Sequence, residues 1–145
     1  PGKCVSSYLR SNTRGENKSM SLSRTFEAGN IWLTVEYRHF GGDEGYDIRV
    51  YSRINGNPRQ ILRFDCFRYQ PHYHYDPLGR DERVELAGYG MSDAILWTLK
   101  QLTYHLPEML TQAGYPDVAA GVQPEAVREA VAKLEEHLTA VLGRS

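Results

Sequence analysis

The chain has 145 residues, of which 41% are hydrophobic and 24% charged, and its formal net charge is −1. This composition predicts one soluble domain that is large enough to bury a core without disulfides. No stretch approaches the roughly 18 apolar residues of a membrane span, and no apolar signal segment begins the chain, so we predict a cytoplasmic protein without a membrane partner. Cys4 and Cys66 form no spacing motif, which argues against a disulfide framework.

Charge is unevenly distributed along the chain. Residues 1–24 carry five basic side chains against Glu16 alone, a balance of +4, which leaves −5 for the remainder. We therefore predict a basic flexible arm over 1–24 and a single α+β domain over 25–145. The arm either is merely solvated or contacts phosphates or an acidic partner.

Alternating apolar and polar residues predict an antiparallel meander within residues 25–88. The predicted strands cover 31–38, 46–53, 60–67 and 72–76, with a short fifth at 83–86 and a first pairing segment at 25–27. Asn55-Gly56 is a strong hairpin signal, because both residues tolerate the positive φ angles of a tight turn. Short connections favour a sheet of about five strands that pair in chain order.

The period of the pattern becomes helical after residue 92, and helices are predicted within 92–143. Ser92 is the expected N-cap, and Pro107 is expected to kink the first helix or to begin a second one. A loop is expected at 115–121, and Pro124 opens the last helix. Apolar residues then recur at steps of four and three, at Val127, Val131, Leu134, Leu138 and Val141. This stripe predicts helices that cover the apolar face of the sheet, with dimerisation through the stripe as the alternative.

The opposite face of the predicted sheet carries the residues that suggest chemistry. His72, His74 and Asp76 are spaced by two, so a strand would project them together while Tyr73 and Tyr75 point the other way. Alternation places further polar residues on the same face, namely Glu36, Arg38, Arg49, Arg53, Arg63 and Asp65.

Three interpretations of this face remain open. Two imidazoles and a carboxylate suit a metal, but Pro77 and Leu78 stand where a further ligand is expected, so no metal ligand and no cofactor is predicted. For metal-free cleavage of RNA, His72 and His74 would share acid–base catalysis, with Asp65 or Asp76 orienting them. In that mechanism Arg49, Arg53 and Arg63 would bind phosphate and tyrosines would stack on bases. The third interpretation is a wet polar face with ordinary cross-strand pairs.

Three segments also resemble the small toxin components of bacterial toxin–antitoxin pairs. They are Arg-Val-Tyr at 49–51, Leu-Arg-Phe-Asp at 62–65 and Pro-His-Tyr-His at 71–74, followed by a helical tail. The resemblance covers residues 46–76 and lacks the tandem His-His pairs of that family. It implies a ribonuclease-like toxin that pairs with a nucleotidyltransferase-like partner, with Arg63, Asp65, His72 and His74 at the matching positions.

We therefore predict a small bacterial cytoplasmic protein that acts on nucleic acid in the manner of a toxin–antitoxin component. Two alternatives stay open. One is a non-catalytic binding or assembly module with a protein partner or a second copy of the chain. The other is a small metal-binding protein that uses His72 and His74.

Overall fold

The computed structural model of the protein describes residues 23–142. The predicted arm at 1–24 therefore lies, except for its last two residues, outside the described part of the chain. The described residues form an antiparallel sheet of six strands in the order of the chain. The strands are β1 (Arg24–Ala28), β2 (Ile31–Phe40), β3 (Asp43–Ile54), β4 (Asn57–Phe67), β5 (His72–Tyr75) and β6 (Glu82–Glu85). The predicted α+β meander is confirmed, and the segment at 25–27 is a full strand of it.

Tight turns keep consecutive strands next to each other. Asn55 and Gly56 have φ angles of 54° and 82°, so the predicted hairpin turn between β3 and β4 is confirmed. Gly45 shows how closely these two strands approach, since a Cβ at that position would lie 2.1 Å from the carbonyl oxygen of Cys66. A larger residue there would separate β3 from β4 at the end of the sheet that leads to β5.

Four helices follow the sheet: α1 (Met91–Tyr104), α2 (Leu106–Gln112), α3 (Pro116–Ala120) and α4 (Pro124–Leu142). The N-cap expected at Ser92 is wrong. The helix α1 already begins at Met91, and its N-cap is Gly90, whose N–H donates to the Asp93 carboxylate. The loop expected at 115–121 instead contains α3. No helix among residues 23–142 is long and apolar enough to cross a membrane.

The hydrophobic core lies between the helices and one face of the sheet. Apolar residues of β2, β3 and β4 meet α1, α2 and α4 there, and the largest fully buried ones include Ile31, Leu33, Ile48, Phe64, Leu102, Leu110, Leu134 and Leu138. Four of the five α4 stripe residues are buried in this core, and Val141 is only partly exposed. The stripe therefore packs inside the domain and is not left for a dimer. Tyr73 and Tyr75 also belong to the core, so the predicted division of β5 into two faces is correct.

A β-bulge alters the alternation in β4. Val50 pairs with Leu62 whereas Tyr51 pairs with Gln60, so Ile61 is an extra residue in β4. Before the bulge, the side-chain parity of β4 is reversed, and Arg59 lies on the helix side of the sheet, where it contacts Tyr115 at 2.9 Å. From Arg63 onward, the side chains of β4 point to the faces of the sheet that the sequence predicts. We call the sheet surface that faces away from the helices the outer face.

Candidate metal centre

Two neighbouring strands bring an aspartate and two histidines together on the outer face. Asp65 of β4 lies directly opposite His72 of β5, and Arg63 lies opposite His74. Residues two apart on a strand share a face, and directly opposed residues of an antiparallel pair are the closest cross-strand neighbours. Asp65, His72 and His74 therefore converge because of register and alternation alone.

The atoms that converge are ligand atoms. Oδ2 of Asp65 lies 2.9 Å from Nε2 of His72 and 3.6 Å from Nε2 of His74. Each of the three residues offers one ligand atom, and these ligand atoms lie within 4.8 Å of one another. For metal bonds of about 2.1 Å, two ligand atoms are roughly 3.0 Å apart at a right angle and roughly 3.4 Å apart at the tetrahedral angle. The two distances from Asp65 are close to these values.

The second ring nitrogen of each histidine is held by an acceptor. Nδ1 of His72 lies 2.8 Å from the carbonyl oxygen of Gln70, and Nδ1 of His74 lies 2.7 Å from Oδ1 of Asp81. Carbonyl and carboxylate oxygens accept hydrogen bonds, so both Nδ1 atoms carry the proton. Nε2 of each ring faces Asp65, and it is the nitrogen that can coordinate an ion once any proton that it donates to Asp65 has been lost. Metal-ligating histidines are oriented in this way by a carboxylate or a backbone carbonyl.

The cluster is buried, although it lies on the polar face of the sheet. Asp65 is 2% exposed, and His72 and His74 are each 6% exposed. Burial alone would raise the pKa of the Asp65 carboxyl, but hydrogen bonds from His72 and His74, together with the charge of Arg63, hold that pKa well below its usual range. Asp65 is therefore ionised at neutral pH, as a metal ligand must be. The third interpretation of this face included cross-strand His–Asp pairs, and the structure has one between His72 and Asp65, but these three side chains are buried and not exposed to water.

Arg63 brings a positive charge to the cluster of Asp65, His72 and His74. Its Nε donates to Oδ2 of Asp65 at 3.2 Å, and its Nη2 lies 3.0 Å from Nε2 of His74. Oδ1 of Asp65 is buried and has no hydrogen-bond partner among the described residues. A buried acceptor left in this state is costly, so this oxygen can receive a donor or a cation. We call Arg63, Asp65, His72, His74 and Asp81 the Asp65 cluster.

Of the three arginines predicted to bind phosphate, Arg49 and Arg63 lie directly opposite each other on β3 and β4, whereas Arg53 lies further along β3, opposite Pro58. Arg49 makes two contacts with Asp47, at 2.8 Å from Nε and 2.9 Å from Nη2. The guanidinium of Arg53 lies over the Trp32 ring, 5.1 Å from its centroid. Arg63 belongs to the Asp65 cluster. Arg49 and Arg63 are thus each paired with a buried carboxylate.

Asp76 does not share the face of the histidines, which corrects the sequence-based placement. The strand ends at Tyr75, and Asp76 has a φ of 51°, so alternation no longer applies to it. Oδ1 of Asp76 accepts hydrogen bonds from Tyr115 Oη at 2.9 Å and from Arg59 at 3.3 Å, and Oδ2 accepts one from the Arg80 N–H at 2.9 Å. We call Arg59, Asp76, Tyr115 and the Arg80 N–H the Asp76 cluster. Within residues 23–142, no histidine forms an ion pair with the Asp76 carboxylate.

Asp81 is a residue of the candidate site that the sequence pattern does not single out. It lies in the turn between β5 and β6, and its carboxylate contacts Nδ1 of His74 in β5. Its φ of 52° is a conformation that aspartate tolerates better than most residues. An Asp in a short turn after a His-bearing strand was the available signal. The sequence pattern suggests a further ligand beyond the two histidines along the chain, whereas the carboxylate that meets them is that of Asp65 on the neighbouring strand.

Fold and site together define an α+β domain with a buried cluster of two histidines and one carboxylate on the outer face of its sheet. The chain belongs to the family described as Domain of unknown function (DUF7700), whose pattern matches residues 25–138. That range contains the whole sheet except its first residue, and the entire Asp65 cluster. No curated protein and no solved structure matches the chain significantly.

Proposed function

We propose that this domain binds one divalent transition-metal ion through Asp65, His72 and His74. The observation that carries the proposal is the convergence of three ligand atoms within 4.8 Å, each on a buried side chain. Two imidazoles and a carboxylate are a ligand set typical of zinc, manganese and non-haem iron. The metal-binding alternative from the sequence is thus the one that the geometry supports best.

The surroundings of the three ligands favour an ion over a simple ion-pair network. Both histidines have Nδ1 fixed by an acceptor, which leaves Nε2 for coordination. Asp65 keeps its negative charge despite burial, and its Oδ1 lacks a partner among the described residues. An ion bound to Oδ2 would allow Arg63 to move from His74 towards Oδ1, so that every polar atom is satisfied.

The nucleic-acid function stays a prediction. Neither the toxin–antitoxin resemblance nor an RNA substrate is addressed by the family match. The histidines proposed as acid and base are buried among their partners, and Arg49 is neutralised by Asp47. A phosphodiester would have to displace these contacts before it reached His72 or His74, which makes metal binding the simpler function for this geometry.

Metal binding is tested by titrating chelator-treated protein with Zn²⁺ and with Co²⁺. We expect one ion per chain, a visible Co²⁺ absorption typical of nitrogen and oxygen ligands, and a rise in melting temperature. Stabilisation is expected to be about 2.7 kcal/mol when free metal is 100 times the dissociation constant. His72→Ala and His74→Ala are expected to weaken binding by more than the roughly 10–100-fold typical of a change outside the ligand set.

His39→Ala is the matched control, because His39 lies on β2 with its side chain 60% exposed and contacts only Glu44 among the described acidic residues. It is expected to bind metal like the wild type. The proposal fails if the wild type binds no ion, or if His39→Ala and His74→Ala lose affinity equally.

A further inference from the structure

We propose that the metal-bound Asp65 cluster binds a small oxyanion, a carboxylate or a phosphate, between the ion and the guanidinium of Arg63. This inference rests on the proposed metal site and names the ligand class of that site. It is carried by three features of the cluster: the open coordination of the ion, the position of Arg63, and the charge balance of the outer face.

Three protein ligands leave at least one coordination position of a transition metal open. Among the described residues, the only acidic groups, histidines or cysteines grouped closely enough to hold an ion are Asp65, His72 and His74. Asp81, the next carboxylate of the cluster, is already used at Nδ1 of His74, on the far side of the ring from Nε2. A further ligand must therefore come from solution.

Arg63 lies beside that open coordination position, and not all of its N–H groups are hydrogen-bonded. Its Nη2 now lies 3.0 Å from Nε2 of His74, and this contact must break when Nε2 coordinates an ion. Its Nη1 has no hydrogen-bond partner among the described residues, and the Arg63 side chain is 24% exposed. Arg63 can thus turn towards Oδ1 of Asp65 and still present N–H groups to an anion, in the planar arrangement that carboxylates and phosphates accept.

Charge favours an anion over a neutral ligand. The outer face around the ligands has four arginines (Arg38, Arg49, Arg63 and Arg83) and five carboxylates (Glu36, Asp47, Asp65, Asp81 and Glu85), a balance of −1. A divalent ion changes this balance to +1, so one positive charge is left without a partner in this group. An uncompensated charge in a largely buried site is costly, so an anion on the ion is stabilised by both the metal and Arg63.

The test uses the full chain loaded with Co²⁺, because visible absorption reports a change of ligand directly. Acetate, inorganic phosphate and chloride are titrated separately at constant ionic strength. We expect acetate or phosphate to change the spectrum in a saturable way, and chloride to need a much higher concentration. The oxyanion with the lower dissociation constant identifies which of the two chemistries the site prefers.

Two variants of Arg63 separate the roles of charge and geometry. Arg63→Gln is expected to weaken oxyanion binding by about 10-fold or more, since it removes charge-assisted hydrogen bonds. Arg63→Lys keeps the charge near Asp65 and protects the fold, and it is expected to weaken binding less. Arg128→Gln, an exposed charge change on α4, is the control and is expected to match the wild type.

The outcomes distinguish this inference from the metal site itself. If Co²⁺ binds and neither oxyanion alters its spectrum, or if Arg63→Gln and Arg128→Gln bind oxyanions equally, the oxyanion proposal is overturned while the metal site stands. If Co²⁺ does not bind at all, both proposals are overturned together.

Discussion

The two ends of the short strand β5 offer a comparison between two buried aspartates that have different partners. Asp65, which pairs with the first residue of β5, is 2% exposed, and Asp76, which follows its last residue, is 8% exposed. Each contacts an arginine, and in each case hydrogen bonds and a nearby positive charge outweigh the effect of burial and lower the carboxyl pKa. Both carboxylates are therefore ionised at neutral pH.

The partners of the two carboxylates do distinguish them. Asp76 has both oxygens satisfied by hydrogen-bond donors, namely a phenol, a guanidinium and a backbone N–H, and no imidazole is among them. Asp65 contacts two imidazoles and keeps one oxygen without a partner among the described residues. The Asp76 cluster thus joins the end of β5 to the segment before α3, whereas the Asp65 cluster retains unused coordinating capacity. A candidate site is marked by the chemistry of its contacts.

The largest expected effect is on the free energy of unfolding of the metal-free protein, which Asp65→Asn should lower more than Asp76→Asn does. Removing the Asp65 charge leaves Arg63 and its neighbours without their buried counter-ion, which typically costs about 3–5 kcal/mol. Asp76→Asn keeps an acceptor for Tyr115 and Arg59, so we expect a loss of about 1–2 kcal/mol. Urea unfolding at neutral pH measures both values, and equal losses would contradict the distinction between the clusters.

Lowering the pH tests whether the charge of Asp65 causes this loss of stability. The pKa of Asp65 is lower in the folded protein than the value of about 3.9 for an unfolded chain, so its stabilisation is present above about pH 4 and is lost as the pH falls further. The difference in unfolding free energy between wild type and Asp65→Asn should therefore shrink between about pH 5 and about pH 2. A difference that stays constant over this range would show that the charge of Asp65 is not its cause.

The second prediction concerns Asp81, which acts on the proposed ion only through His74. Asn tolerates the positive φ of this position, so Asp81→Asn tests the carboxylate without straining the backbone. The side chain is 53% exposed, and we expect little change in stability but a loss of metal affinity at the lower end of the roughly 10–100-fold range typical of such partners. Glu82→Gln removes the same charge from the adjacent residue. Equal effects of the two variants on Zn²⁺ binding would rule out orientation of His74.

The smallest expected effect is that of Tyr115→Phe, which tests the Asp76 cluster. It removes the hydrogen bond that Tyr115 Oη donates to Asp76 and the one that it accepts from Arg59, and it is expected to cost about 0.5–1.5 kcal/mol without changing metal affinity. Tyr104→Phe, at a residue that is 70% exposed, is the control and should be close to neutral. A loss of Zn²⁺ affinity in Tyr115→Phe would show that the two clusters are coupled.

Features that depend on neighbouring residues could be predicted from the sequence. Alternation correctly placed His72 and His74 on one face of β5 and Arg63 and Asp65 on one face of β4. The Asn55-Gly56 turn and the α4 stripe were predicted for equally local reasons. Leu96 shows the limit of such patterns, because it follows the helical period of α1 yet is 55% exposed.

Features that depend on register and on turn conformation could not be predicted. The extra residue Ile61 puts the Arg59 side chain on the helix side of the sheet. The sequence pattern of β4 does not predict this bulge. Asp76 leaves the strand through a positive φ, which takes its carboxylate to Tyr115. Asp81 has a positive φ of its own, and its carboxylate reaches His74 from the turn after β5.

By itself the sequence determined that this domain is a meander covered by helices, and that two histidines share one face of a strand. It did so because side-chain direction and hydrophobic period are set by residues two to four positions apart. Only the tertiary structure decided which carboxylate meets those histidines, since cross-strand register joins Asp65 to His72 over a loop while a turn removes Asp76. Burial of the three ligands together is likewise a property of the folded sheet, and it makes the cluster a candidate metal centre.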